Sequence, residues 1–194
     1  MDVIQLLKKD HKMVKKMFKE FEDLSGSRGA QKKPALVDQI SQALMVHAQV
    51  EEELVYPAFQ ENRSMKDLVS EAKEEHQVAK YLLSGLEELQ PDDEQYDAKV
   101  KVLCEYVMHH VKEEEKEIFP QAQKRLSAKR LEALGEQVEE RRSELMGDGK
   151  DIEREMTTGV EGDVMDDEGD GSEEAMEAMD ERESKPDRPR RHAA

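Results

Sequence analysis

Apolar residues recur every three or four positions along most of the first 146 residues, the spacing of one face of an α-helix, and they fall into five stripes. The first holds Ile4, Leu7, Val14, Phe18 and Phe21, with His11 between Leu7 and Val14, and it predicts a helix capped by Asp2. The stretch SGSRGAQKK interrupts the period. Pro34 then opens a second helix at a first-turn position, where its missing N–H leaves no intrahelical bond unmade. The second stripe is Ile40, Leu44, His47, Glu51 and Leu54; the third, after QENRS, is Leu68 or Val69, Ala72, His76, Ala79, Leu83 and Leu86. QPDDEQ ends it, and Val100, Leu103, Val107, His110, Glu114 and Ile118 form the fourth. A shorter fifth segment is capped by Ser127 and carries Leu131, Leu134, Val138 and Leu145. Pro57 and Pro120 fall inside the second and fourth stripes and predict kinks. No alternating β-branched run occurs, and short connections force neighbouring helices to be antiparallel. The expected fold is therefore all-α: an up-down-up-down four-helix bundle over residues 1–146, an additional short C-terminal helix, and a disordered acidic tail over 147–194.

The tail rests on composition. Residues 147–194 carry 17 acids against 7 bases, are rich in Gly and Pro, and show no apolar stripe to offset the entropy of ordering them. A short helix near Glu173–Arg182, ordered by a partner, is the one exception the pattern allows. With a net charge of −17 the chain offers no basic face for phosphates, so no nucleic acid is expected as a partner. No apolar span is long enough to cross a bilayer, so no membrane is expected either. Charges break the amino-terminal stripe, which argues against a signal peptide, and one cysteine, Cys104, excludes an internal disulfide. A cytoplasmic protein follows. Cys104 reads as a small buried hydrophobe, since no base is placed to activate it.

The candidate chemistry lies in the polar residues that interrupt the stripes. HAQVEEELVYP at 47–57 and HVKEEEKEIFP at 110–120 both read His, three residues, Glu, five residues, Pro. His11 and His76 also match, in DHKMVKKMFKEFEDL from Asp10 and EHQVAKYLLSGLEEL from Glu75, with an acid before each His. The chain thus contains two copies of a helix pair, which would bring four His and two Glu toward one axis. Residues i and i+4 share a helix face about 6 Å apart, so His47 with Glu51, and His110 with Glu114, are two-pronged and point inward. A buried carboxylate costs several kcal/mol and two of them repel, whereas a bound cation removes both penalties. Imidazole with carboxylate suits iron or manganese better than thiolate-selecting metals. The competing reading is a purely structural bundle whose four His are satisfied core residues. His109 with Glu113 has the same spacing, but His110 continues the stripe and keeps the distance to Pro120. The remaining glutamates, Glu52 among them, read as solvated faces whose loss should leave the centre intact. Tyr106, one turn before His110, either packs or donates a hydrogen bond to a bound ligand.

His11, HAQVE at 47–51, His76 and HHVKEE at 109–114, one motif per helix in that order, resemble the hemerythrin-like, or HHE cation-binding, family over roughly residues 1–146. The resemblance implies a non-haem centre of two iron ions, with His11, His47, His76 and His110 as terminal ligands. Glu51 and Glu114, with a solvent-derived oxygen, would bridge the ions. It also implies a small ligand such as dioxygen, peroxide or nitric oxide. The chain departs from hemerythrins proper at Lys80 in HQVAK, where they carry a further His. Six protein ligands leave one exchangeable position, to be filled by water, another Glu or a Tyr. Peroxide breakdown, iron handling or redox sensing then become as expected as dioxygen carriage. Proteins that repair iron–sulfur clusters contain the same kind of domain, usually behind a cysteine-containing amino-terminal one that this sequence does not show. The oligomeric state is not fixed by these patterns.

Overall fold

The computed structural model describes residues 1–24 and 31–147, which are helical with short connections and contain no strand among the described residues. Helix α1 spans Val3–Asp23, and the Asp2 carboxylate accepts from the Gln5 N–H at 2.9 Å, as the sequence predicts. A second rod runs without a break through α2 (Lys33–Val50), a π turn (Glu51–Val55) and α3 (Tyr56–Gln60). After a 3₁₀ turn at Arg63–Met65 comes α4 (Lys66–Glu87). The last long rod is α5 (Tyr96–Glu113), a second π turn (Glu114–Ile118) and α6 (Phe119–Arg125). Helix α7 spans Ala128–Leu145 and is capped by Ser127, which accepts from the Arg130 N–H at 3.2 Å. The tail and its Glu173–Arg182 segment lie outside the described residues.

Side-chain pairs fix the direction of each rod. Lys33 at the start of α2 lies over the ring of Phe21 near the end of α1, while His47 meets Asp10, so these two helices are antiparallel. Gly85 faces Lys99 and His76 faces His110, which makes α4 and α5 antiparallel. Lys33 pairs with Asp97 and Tyr56 with Glu114, so the second and last rods run parallel, as up-down-up-down order requires.

Burial follows the stripes, including Val69 rather than Leu68, with one shift of register. The first wholly buried residues after Glu51 are Val55 and Tyr56, while Leu54 is only partly buried. The π turn is the cause. Prolines expected to kink the helices instead stand just after π turns, at the starts of α3 and α6. There the Tyr56 and Phe119 N–H groups reach back five residues, to the carbonyls of Glu51 and Glu114. Each turn thereby accommodates one extra residue before a proline that cannot donate.

An apolar core of Ile4, Leu7, Val55, Phe59, Met65, Val69, Phe119 and Leu134 fills the end of the bundle that α7 covers. Gly135 lets that cover close. A Cβ there would lie 2.3 Å from the Met1 carbonyl oxygen and 3.1 Å from the Val3 nitrogen, both backbone atoms. Gly135→Ala should cost about 1–3 kcal/mol and lower the melting temperature by roughly 3–10 °C. Gly85→Ala would meet only the movable tip of Lys99, and should hold or raise the melting temperature because Ala favours helix by about 0.5–1 kcal/mol. Thermal unfolding followed by circular dichroism checks both.

Candidate metal centre

All six residues singled out from the sequence meet in the middle of the bundle. His11, His47, His76 and His110 are at most 7% exposed, and Glu51 and Glu114 are wholly buried. Glu51 Oε2 lies 3.2 Å from His47 Nε2 and 3.4 Å from His76 Nε2. Glu114 Oε2 lies 3.2 Å from His11 Nε2 and 3.5 Å from His110 Nε2. Each carboxylate therefore touches one imidazole of its own helix pair and one of the other. The donor atoms gather into two sets, His11, His47 and Glu114 in one and Glu51, His76 and His110 in the other, each within 4.8 Å. His109 is 61% exposed and pairs with Glu113 at the surface, so His110 is the inward residue.

The outer nitrogen of every imidazole faces a carboxylate. Nδ1 of His11 lies 2.8 Å from Glu115, that of His47 3.2 Å from Asp10, that of His76 3.0 Å from Glu52 and that of His110 2.7 Å from Glu75. This fixes each ring with Nε2 directed inward, the arrangement that metal-bound histidines use. The acids before His11 and His76 each hold the second His of their own helix pair, whereas Glu52 and Glu115 reach across to the other pair. Glu52 and Glu115 are thus not the solvated residues the sequence suggests. An i+1 neighbour of an inward residue lies about 100° round the helix, and only the packing shows that another helix stands there. Lys80, which replaces the additional His, turns away from the centre to Glu52, with Nζ 2.7 and 2.9 Å from its two oxygens. Burial opposes the Glu52 charge, but Lys80 and His76 outweigh it and hold its carboxyl below the usual range.

Tyr56 is the functional residue the α-helical period misses. Its ring is wholly buried, and its O–H donates to Glu114 Oε1 at 2.8 Å while standing 3.4 Å from both Glu51 and His76 Nε2. In an α-helix, residues five apart point about 140° away from each other. The π turn aligns them instead. Burial, with Glu114 and Glu51 close by, pushes the Tyr56 phenol well above its ordinary value, so the proton stays on the oxygen. The corresponding residue in the second copy is Phe119, stacked on His11 with centroids 5.7 Å apart. The only sequence signal is that each precedes its proline, in VYP and IFP.

Across the imidazoles from Tyr56 lies a cavity of about 30 Å³, room for one or two water-sized molecules, with apolar walls that include Val14, Leu44, Ala79 and Val107. Tyr106 lines it without reaching the carboxylates. Cys104 is partly buried, and burial with Glu22 and Glu105 pushes its thiol up to about 12, which leaves it unreactive.

The donors fit a metal on their own evidence. His11 Nε2, His47 Nε2, Glu51 Oε1 and Glu114 Oε2 are buried and make no hydrogen bond, an expense that native interiors seldom tolerate. Among the described residues, six carboxylates in and around the site are set against the cationic side chains of Lys8, Lys15, Lys80 and Arg142, which leaves negative charge in excess. Protons on imidazoles or bound cations must balance it.

Comparison with known proteins agrees with this geometry. The family model described as Hemerythrin HHE cation binding domain matches residues 2–122. A solved structure of a hemerythrin HHE cation-binding domain-containing protein from Mycobacterium kansasii superposes with a TM-score of 0.66 at 22% identity, covering 82% of this chain and 94% of that one. A curated relative, the DNA nickase of a Nostoc strain, is 30% identical over 132 residues. The match takes in 68% of this chain but only 36% of that relative's length.

Two outcomes follow from the carboxylates. Glu52→Ala should weaken metal binding by about 10–100-fold without abolishing it, measured by competition with a chelator. The second concerns metal-free protein. Burial opposes a charged His110, but Glu114 and Glu75 outweigh it and raise its pKa above 6.5, so its contribution is full below that pH and is lost as pH rises through the folded value. Burial likewise opposes the Glu114 charge, but His110 and His11 hold its carboxyl far below 4.5, so its contribution is present above that pH and lost on acidification. Metal-free protein should therefore be most stable between about pH 4.5 and 6.5 in a melting series, and bound metal should remove the decline on the alkaline side.

Proposed function

The chain belongs to the hemerythrin HHE cation-binding family, and from that premise we propose that it is a non-haem di-iron protein that binds and reacts with dioxygen, peroxide or nitric oxide. The observation that carries this reading is the pair of buried carboxylates, each shared between two imidazoles whose outer nitrogens are held by further acids. In it, His11, His47, His76 and His110, together with Glu51 and Glu114, would hold the metal ions. Bound iron supplies Lewis acidity and one-electron chemistry toward small oxidants.

The chain's own residues shape the rest. The apolar cavity beside the imidazoles has room for one or two water-sized molecules, the scale of dioxygen, peroxide or nitric oxide. Lys80 stays with Glu52, so it does not supply the centre with a seventh donor. Tyr56 keeps its proton at the oxygen beside Glu114, within reach of a ligand at the carboxylates. A neutral O–H at that place is a hydrogen-bond donor to a bound ligand rather than an acid, and on that basis peroxide breakdown is the leading reaction of this reading. No helix of the described residues is long and apolar enough to cross a membrane.

Protein reconstituted with ferrous iron and exposed to air should hold about two iron ions per chain and absorb in the near ultraviolet, and added peroxide should release gas. His47→Ala or Glu51→Ala should lose most of the iron, while the exposed Glu74→Gln keeps it. Wild-type protein that takes up no iron would overturn the reading in favour of a purely structural bundle.

A further inference from the structure

Helix α7 lies beyond the residues that match the family, 2–122, yet it reaches the centre. The Arg142 guanidinium donates to Asp10 Oδ2, the same oxygen that faces His47 Nδ1. Both groups are sheltered, Asp10 at 14% and Arg142 at 19% exposure, so solvent screens their interaction only partly. The equivalent acid of the second copy, Glu75, meets no arginine among the described residues. Its outer neighbour is His109, 3.9 Å away and mostly exposed. Accordingly, the His110–Glu75 contact is 2.7 Å and the His47–Asp10 contact 3.2 Å, the longest of the four.

A carboxylate that shares one oxygen with a permanent cation is a weaker acceptor for the imidazole N–H. The imidazole is then a poorer electron donor at its other nitrogen, and the cation adds its own field. We propose that Arg142 is a positioning residue that carries α7 into the centre: acting through Asp10, it weakens donation by His47 and makes the His47 end of the metal pair the more readily reduced. The proposal rests on the di-iron reading of the site.

The test uses the full-length chain and three variants, Arg142→Gln, Arg142→Lys and Arg141→Gln. Arg141 is the control because it also ties α7 down, through Glu53 of the second rod at 2.7 Å, but touches no acid that holds an imidazole. In iron-loaded protein, Arg142→Gln should lower the midpoint potential by on the order of a tenfold change in the oxidised-to-reduced ratio, about 59 mV for one electron. Arg142→Lys should recover most of this, and Arg141→Gln should leave the potential unchanged. In metal-free protein, ¹⁵N–¹H spectra of the imidazoles should show the His47 Nδ1 resonance moved by Arg142→Gln and not by Arg141→Gln. Equal shifts from the two glutamine variants would reduce Arg142 to a tether and overturn the proposal, as would an unmoved His47 resonance. Absence of iron from the wild type would remove the di-iron reading alone, since the His47 resonance still decides the role of Arg142.

Discussion

Two carboxylates with no exposed surface, placed in the middle of a helical bundle, are the constraint from which the other features of this protein follow. An ionised carboxylate in such surroundings costs several kcal/mol unless it is paired and hydrogen-bonded, and here two of them share one site. The bundle answers with four imidazoles, one from each rod, and with the Tyr56 O–H. These groups do not fully satisfy the set. Two imidazole nitrogens and two carboxylate oxygens remain buried without hydrogen bonds, divided between the two donor sets. A cation-binding domain has reason to keep such atoms unsatisfied, because donors already paired with one another would have to be separated before they could ligate.

The duplicated helix pair explains how one short motif builds both layers of the site. Asp10 and Glu75 hold the second imidazole of their own pair, and Glu52 and Glu115 hold the first imidazole of the other. The two copies therefore cannot separate without releasing two of the four rings. Inner and outer layers are also adjacent in sequence, with Glu51 beside Glu52, Glu114 beside Glu115, and an acid before His11 and His76. A displacement of one helix moves a donor and the group that orients another donor together, which ties the integrity of the site to the packing of the whole bundle.

What could be read from the sequence, and what could not, divides along the helical period. The inward His and Glu were legible because each continues an apolar stripe at 3.6-residue spacing, and the caps at Asp2 and Ser127 because their chemistry is local. Glu52 and Glu115 were not, since contact with a ring on another rod is a property of packing. Tyr56 was hidden for a different reason. A π turn starts at each buried glutamate and moves the following face by one residue, so Leu54 looked inward and Tyr56 did not. The prolines marked these places, but a proline alone does not distinguish a kink from a π turn.

The departures from two-fold symmetry bear most directly on chemistry. Backbone and inner donors repeat, but Tyr56 stands where the second copy has Phe119, and Asp10 bonds Arg142 where, among the described residues, Glu75 has an exposed His109. A symmetric shell would give two metal positions equal electron density and equal access to protons. Here the phenol touches Glu51, Glu114 and His76, while the guanidinium acts on the ring of His47, so proton supply and positive field fall on different imidazoles. On the di-iron reading, two ions held in this shell would be inequivalent before any ligand arrived, and a small molecule reduced at one end and hydrogen-bonded at the other would have a preferred orientation.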